Sequence, residues 1–424
     1  MIPLWRPALG SVMGILLVLP LDHRFRLLPR QTARGPLLVL AALVGCYLLF
    51  AVPPLAAIAV ALLAGLAWQR NHAPRAPASL PPEALSPEFG LALFSFLLAM
   101  LVDRASTPAF WDAFVWLAKA RYAAGGLGRL VAGGLGTTLP PFIPSGYPLF
   151  EPLSVAMLAG FSARPESVVA GAIGLEVLAT VLFLCAVADG PRSARTRRLA
   201  TVTIVLLASP LVFVHLRSSY VDLPLGLLIG ALATLLPRSG TGVACAIVGV
   251  AAASLKDEGM VHVAAIALAG ALYGFANKRN EALVRRSLAC GIAAATVTAG
   301  WHLRLHASGI ADADHALSLP DWHRIGPLAG VAFAHVLEFR SWGALWIVGI
   351  GAVVATAIDP RSAPRLAMWF ATLLALDTGA LFVALLTTPG RVMEFATGGT
   401  LLNRLGIQLA PCAALLVAEW TGDG

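Results

Sequence analysis

Apolar runs of roughly 15–22 residues recur along the whole chain, separated by short polar stretches. Such runs are typical of membrane-spanning helices, because about 20 helical residues cross the hydrocarbon core of a bilayer. The pattern predicts an all-α, polytopic transmembrane protein with about 13 spans. The predicted spans are 8–22, 36–51, 54–68, 88–102, 167–188, 199–214, 222–236, 241–254, 259–276, 287–305, 342–358, 366–387 and 399–420.

Proline and alanine dominate residues 73–87, which separate the third predicted span from the fourth. This composition is typical of a linker. We therefore divide the chain into a three-span N-terminal extension (1–72), a linker (73–87) and a transmembrane core (88–424). The longest polar interruption follows the fourth span and predicts a large loop, 103–166.

Composition agrees with a membrane protein, since 58% of the 424 residues are hydrophobic and only 12% are charged. Soluble domains carry about 25% charged residues. The net charge of +8 does not indicate a nucleic-acid partner, because the basic residues cluster in short loops between apolar runs. The five cysteines lie in apolar runs without CxxC spacing, so we expect neither disulfides nor a cysteine metal site.

The arginine-rich loops indicate the orientation of the chain in the membrane. Loops 24–34, 70–75, 192–198, 278–286 and 361–365 are basic and belong on the cytoplasmic side. The alternate loops 103–166, 215–221, 255–258, 306–341 and 389–398 then face the periplasm or exterior. If the apolar stretch 147–161 crossed the membrane, the basic loop at 192–198 would move outside. We therefore predict interfacial helices at 147–161 and 325–339.

The outer loop 103–166 contains a run with an acid, aromatic residues and a cation, Trp111–Ala120. In a helix, Asp112, Trp116 and Lys119 share one face. We interpret Asp112 as a candidate catalytic base, with Asp103 as the alternative. The plainer interpretations are a solvated acid on an interfacial helix and, for Trp111 and Trp116, anchors at the membrane interface.

Three other outer stretches place charge at or just inside the end of an apolar helix. They contain Asp222, the pair Lys256 and Glu258, and Arg404. Ionisable groups in such positions are costly and usually face a polar cavity. The plainer roles are a helix N-cap-like acid for Asp222 and an ordinary polar turn for residues 256–258.

Further polar residues have weaker patterns. Glu176 and Asp377 lie inside predicted spans, which suits either hydrogen bonding between helices or a function. Four histidines lie near an outer loop without a convincing ligand spacing, namely His302, His306, His315 and His323. We therefore expect solvated histidines there rather than a zinc site.

These outer-face motifs resemble bacterial membrane glycosyltransferases of the GT-C superfamily, of the glycosyltransferase family 39-like type. Trp111-Asp112-Ala113, followed by an aromatic residue and Lys119-Ala120, resembles their first outer loop, and Tyr147-Pro148-Leu149 resembles the start of the helix after it. Tyr220–Pro224 resembles a Tyr-Ala-Asp-x-Pro helix start, Lys256–Gly259 resembles Lys-Asn-Glu-Gly, and Arg404 with Pro411 resembles a late Arg-Leu…Pro pattern.

The resemblance runs from about residue 88 to the end of the chain and has two departures. Asp257 stands where the family usually has asparagine. Ile143–Gly146 stands where a histidine or aspartate often precedes the Tyr-Pro-Leu.

The resemblance implies transfer of a sugar from a polyprenyl-phosphate donor to an acceptor hydroxyl at the periplasmic face of the bacterial cytoplasmic (inner) membrane. Asp112 would be the base and Arg404 a phosphate contact. The other implied substrate-binding residues are Lys119, Tyr147, Asp222, Lys256 and Glu258. Some members of the family use a divalent cation, Mg²⁺ or Mn²⁺, for which Asp112 and Glu258 have suitable oxygen ligands. The acceptor, whether glycan, lipid or protein, stays open.

Two other classes of membrane protein are alternatives. A secondary transporter typically has paired repeats and charges near the membrane midplane; the sequence shows no repeat, and its polar motifs gather on one predicted face. An O-antigen ligase or polymerase-like enzyme is expected to have its main outer loop later in the chain. Convergence of Asp112, Lys256, Glu258 and Arg404 on one pocket favours a transferase, whereas a polar path through the centre favours a transporter.

Overall fold

The computed structural model describes residues 34–52, 86–102, 111–131, 146–189, 192–238, 242–276, 280–309, 318–388 and 392–421. Within these ranges the regular structure is helical, as predicted. The first eight helices are α1 (Arg34–Ala51), α2 (Pro87–Leu101), α3 (Trp111–Val131), α4 (Phe150–Leu158), α5 (Pro165–Val187), α6 (Arg192–Leu207), α7 (Pro210–Ser218) and α8 (Asp222–Leu235). The others are α9 (Gly242–Leu255), α10 (Asp257–Ala276), α11 (Glu281–Ala307), α12 (Ile325–Val336), α13 (Phe339–Trp342), α14 (Leu345–Ile358), α15 (Arg365–Thr387), α16 (Val392–Thr397) and α17 (Thr400–Trp420), with a 3₁₀ turn at Trp322–Arg324.

Five of these helices are long and apolar enough to cross a membrane, namely α5, α10, α11, α15 and α17. The count rises to six if α6 and α7 form one broken span. Helices α2, α8, α9 and α14 and most of α1 are apolar but shorter. The chain is therefore an α-helical membrane protein. The predicted spans 8–22 and 54–68 and most of the linker 73–87 lie outside the described residues.

The predicted span 199–214 is not one straight helix. Helices α6 and α7 meet at an angle of 85°. The break lies at Ala208 and Ser209, directly before Pro210, the first residue of α7. A residue before proline is disfavoured in the helical region, and Ser209 has extended backbone angles (φ −84°, ψ 115°). The Ser-Pro step therefore ends α6.

The helices divide their apolar residues between the protein core and the outer surface. On α2, Leu91, Phe94, Leu98 and Leu101 are exposed at helical spacing, while Phe96 on the other side is fully buried. The same division occurs on α11 and α14. Apolar side chains on the outside of an apolar bundle are suited to contact with lipid.

At the centre of the bundle, α8 and α17 pack closely side by side. Every residue of α8 is buried. A Cβ atom at Gly226 would lie 2.8 Å from the carbonyl oxygens of Ile407 and Gln408, and one at Gly230 would lie 2.9 Å from the Cβ of Pro411. Glycines four residues apart allow such close contact between membrane helices. This contact brings the start of α8 against the start of α17.

The two stretches predicted to be interfacial differ in burial. In α4 the seven residues Phe150–Ala156 are buried between neighbouring helices. In α12 only Leu328 is buried, and Ile325 and Phe333 are exposed. Their position at a membrane interface stays a prediction.

Charged residues mark both ends of the central helices. Arg198 and Arg238 contact the Glu419 carboxylate, near the start of α6 and the ends of α8 and α17. Asp222 and Arg404, by contrast, pair at the starts of α8 and α17. The two helices therefore run parallel, and about 20–30 Å of apolar helix separates the two charged groups.

Candidate functional site

The buried carboxylate of Asp222 accepts hydrogen bonds from three donors, which come from two other parts of the chain. Lys256 Nζ lies 2.9 Å from Oδ1, and Gln408 Nε2 donates to the same oxygen at 2.6 Å. Arg404 Nε donates to Oδ2 at 3.2 Å. Lys256 also lies 3.3 Å from Glu258 Oε1. We call Asp222, Lys256, Glu258 and Arg404 the ionic cluster.

The helix arrangement explains how these side chains meet. Lys256 occupies the single residue between α9 and α10, and a Cβ atom at Gly259 would collide with the carbonyl oxygen of Ala252. Only glycine therefore lets the first turn of α10 lie directly on the last turn of α9. This tight hairpin directs Lys256 into the bundle, where the start of α8 supplies Asp222.

The ionic cluster has a buried floor and a more accessible rim. The side chains of Asp222 and Lys256 are 1% exposed, whereas those of Arg404 and Glu258 are 23% and 25% exposed. Asp222 is the first residue of α8, but Val221 is the N-cap and no side chain caps the helix. No capping hydrogen bond from Asp222 is therefore observed, but the acid lies in the first turn of α8, where the helix dipole favours it, and its carboxylate binds neighbouring cations.

A chain of hydrogen bonds continues from the ionic cluster into the bundle. Gln408 lies one turn after Arg404 on α17, and its Oε1 is 2.8 Å from His262 Nε2. His262 Nδ1 is 2.9 Å from both carboxylate oxygens of Asp377. Asp377 lies near the middle of α15, so this chain reaches the interior of the protein. The expected inter-helix hydrogen bonding of Asp377 is thus observed.

A second polar group forms where α3 meets the chain before α4. Lys119 is buried, and its Nζ lies 5.3 Å from the ring centroid of Trp116 and 5.2 Å from that of Tyr147. Glu151 on α4 is 2% exposed, and its Oε2 has no hydrogen-bond partner among the described residues. Burial raises the pKa of Glu151 to about 8, although Lys119 lowers it in part.

The structure thus brings the predicted site residues into two groups, the ionic cluster and the pair Lys119 and Tyr147. The predicted helix containing Asp112 is present as α3, and Trp116 on it is buried. The side chain of Asp112 and all of Asp103 lie outside the described residues. Convergence of Asp112 with the ionic cluster is therefore untested.

The described residues do not fit a metal ion well. In these ranges no group of three or more His, Cys, Asp or Glu side chains is arranged to hold one. Asp222 already accepts from three donors, and the Glu258 carboxylate contacts Lys256. The side chain of Asp112, the other predicted ligand beside Glu258, lies outside the described residues, so a divalent cation stays a prediction.

Three residues of this region had no role assigned from the sequence. These are Gln408, His262 and Glu151. Each lies within an apolar helix, and a polar residue in such a position is a recognisable signal of an internal contact. The Gly226–Gly230 spacing on α8 was a further available signal.

The described parts define an α-helical membrane protein with a buried ionic cluster at one end of its central helices. Comparison with known proteins adds no relative, since no family model, no curated protein and no solved structure matches the chain.

Proposed function

We propose that the protein is a membrane glycosyltransferase that moves a sugar from a polyprenyl-phosphate donor to an acceptor hydroxyl. In this proposal the chain has a GT-C type fold with about 13 spans. Its interfacial helices and active site face the periplasm from the bacterial inner membrane. The motifs in Trp111–Lys119, Tyr147–Leu149 and the ionic cluster support the proposal by their resemblance to that superfamily.

The observation that carries the proposal is the meeting of Lys256 and Arg404 beside Glu258 at one end of the bundle. Transfer of a glycosyl group leaves negative charge on the departing phosphate, which fixed cations stabilise. Arginine suits this task because its planar fork donates two hydrogen bonds to a phosphate. The 23% exposed side chain of Arg404 lies at the rim, where a lipid-linked phosphate would arrive first.

In the proposed reaction the acceptor oxygen attacks the anomeric carbon of the donor sugar. The bond between that carbon and the phosphate oxygen breaks, and polyprenyl phosphate leaves with the electron pair. Asp112 takes the proton of the acceptor hydroxyl as general base, while Lys256 and Arg404 bind the departing phosphate.

The test is sugar transfer by the purified protein in lipid nanodiscs, supplied with several polyprenyl-phosphate sugars. We expect Asp112→Asn to lose transfer at unchanged expression. Arg404→Lys keeps the charge but loses the fork, so we expect a higher KM for the donor.

Asp359→Asn is the control, because Asp359 follows α14 in an exposed turn. If Asp112→Asn transfers sugar as fast as the wild type, another group is the base, and Asp103→Asn is tested next. If the wild type transfers sugar from none of the donors, the proposal is refuted.

A proton-coupled secondary transporter is the second candidate function. It is favoured by the pair His262 and Asp377, which is buried near the middle of the bundle and connects with the ionic cluster. Proton-coupled transporters commonly use such ionisable residues within membrane helices. Substrate uptake that depends on a pH gradient, without any sugar transfer, would favour this candidate.

A further inference from the structure

The contacts of Gln408 fix the direction of the hydrogen bonds between the ionic cluster and His262. Asp222 lies between the cations Lys256 and Arg404, which favours its ionised form, and an ionised carboxylate only accepts hydrogen bonds. Gln408 must therefore present its Nε2 amide group to Asp222. Its Oε1, an acceptor, then faces His262 Nε2 at 2.8 Å. Consequently His262 Nε2 must carry a hydrogen.

The other ring nitrogen of His262 also requires a proton. Nδ1 lies 2.9 Å from both oxygens of Asp377, and a bare nitrogen facing a bare carboxylate would be repulsive. One proton lies between them, either on Nδ1 or on the Asp377 carboxyl, and in both arrangements the pair is electrically neutral. Because the side chains are 0% and 1% exposed, a net charge on the pair would be costly.

We infer that His262 and Asp377 form a buried proton-binding site whose occupancy controls, through the Gln408 amide, how firmly Asp222 is held. When the pair loses its proton, the remaining hydrogen on the ring is drawn to Nδ1, because a hydrogen bond to the charged Asp377 is the stronger one. His262 Nε2 then becomes an acceptor. Gln408 must turn its amide nitrogen toward His262, and its oxygen toward Asp222.

The consequence for Asp222 is the loss of one donor and the approach of an amide oxygen. Asp222 then keeps Lys256 and Arg404 but no longer the 2.6 Å bond from Gln408. Protonation of the pair His262 and Asp377 thus changes how firmly Asp222 is positioned, and with it the two cations that Asp222 binds at the end of the bundle. This inference rests on the hydrogen-bond geometry alone and holds for a transferase or a transporter.

Among the described residues, the polar groups around the pair come from each of the helices that contact α10. Helix α15 contributes Asp377 itself, and α17 contributes Gln408 and Cys412, which interacts with Asp377. Glu258 lies one turn before His262 on α10 and interacts with it. Helix α8 contributes Asp222, and Lys256 directly follows the end of α9. Helix α11 contributes His302, which lies 3.8 Å from Asp257. The two cations of the ionic cluster balance the charge of its two carboxylates. The negative charge of Asp377 is therefore balanced by the proton that it shares with His262.

The test is ¹⁵N NMR of histidine-labelled protein in nanodiscs across a pH series, together with thermal unfolding over the same range. In the wild type we expect one histidine to keep Nε2–H at low pH and to change to the Nδ1–H form as pH rises. Stability should fall through the same transition. Asp377→Asn supplies an amide donor to Nδ1 without any charge. It should keep His262 neutral with Nε2–H at every pH, which abolishes the change of tautomer and makes the fall in stability smaller.

Glu419→Gln is the control, because it removes a carboxylate at the opposite end of the bundle and should leave both changes in place. Should Asp377→Asn not accumulate as folded protein, the wild-type change of tautomer decides by itself. A wild type in which every histidine keeps one tautomer across the series, or a change of tautomer that survives in Asp377→Asn, would overturn the inference.

Discussion

At the scale of single residues, Glu151 is a carboxyl group that lies almost entirely out of contact with solvent. It lies beside Phe150 and Leu153, both nearly fully buried, and the ammonium of Lys119 is its nearby cation. Burial therefore raises its pKa from 4.5 to about 8. Between these two pH values the folded protein keeps a proton that the unfolded chain releases, so stability falls as pH rises through this window.

We predict that Glu151→Gln abolishes this fall, because glutamine cannot ionise. The measurement is the midpoint of thermal unfolding as a function of pH. The proton site that we infer at His262 affects stability in the same direction, so Glu151→Gln is also measured in the Asp377→Asn background. Glu281→Gln serves as control, since Glu281 is 85% exposed and should leave the pH dependence unchanged. An unchanged slope in Glu151→Gln would show that Glu151 is ionised throughout.

Single residues were predictable from the sequence where charge interrupts an apolar run at its end. Asp222, Lys256 and Arg404 were found in this way, because the cost of charge near a membrane requires partners. Their particular partners were not predictable, since Asp222 and Arg404 are 182 residues apart. Gln408 was missed because an amide in an apolar helix carries no charge and its pairing depends on which helix lies alongside.

At the scale of helices, the contact between α8 and α17 positions the ionic cluster and the Gln408 amide together. Gly226 lies one turn after Asp222, and the main chain of α17 around Gln408 occupies the space that a side chain would need. Any Cβ atom there must push the helices apart, because its nearest neighbours are backbone atoms that cannot rotate away.

We predict that Gly226→Ala destabilises the protein by about 1–3 kcal/mol, the usual cost of overpacking, and weakens the hold on Asp222. Thermal unfolding measures the first effect. Gly351→Ala is the matched control in α14, since a Cβ atom at Gly351 meets nothing within 4 Å. There the better helix propensity of alanine should leave stability equal or slightly higher, by up to about 1 kcal/mol. Equal behaviour of both variants would mean that α8 and α17 are not in close contact.

Helix positions were largely predictable because apolar runs and helix starts coincide. The predicted span 88–102 corresponds to α2, where Ser86 accepts a hydrogen bond from Phe89 and Pro87 opens the helix. The bend between α6 and α7 was missed, because the apolar residues on both sides of Ser209 and Pro210 form one uninterrupted hydropathy signal. Hydropathy records the environment of a segment and not the direction of its axis.

At the scale of the whole molecule, the two charged ends of the central helices indicate how the chain lies in a membrane. Arginines gather around Glu419 at one end, and the ionic cluster occupies the other. Arg198 and the ionic cluster belong to stretches that the sequence pattern predicts on opposite sides of the membrane, whereas no role was predicted for Arg238 or Glu419. Which residues fill the interior between them was not predictable, because that depends on the order in which the helices pack.

We predict that cysteines introduced at the two ends are labelled from opposite sides of the membrane. Ser193 and Ser308 are both exposed, Ser193 near the start of α6 and Ser308 just after the end of α11. All five native cysteines are buried, so they should give little background with a membrane-impermeant maleimide. In cells whose inner membrane is intact, Ser308→Cys should react and Ser193→Cys should react only after permeabilisation. Equal labelling of both would contradict their placement on opposite sides of the membrane. The reverse order would place the ionic cluster on the cytoplasmic side, where a polyprenyl-phosphate sugar presented at the periplasmic face would not reach Lys256 and Arg404.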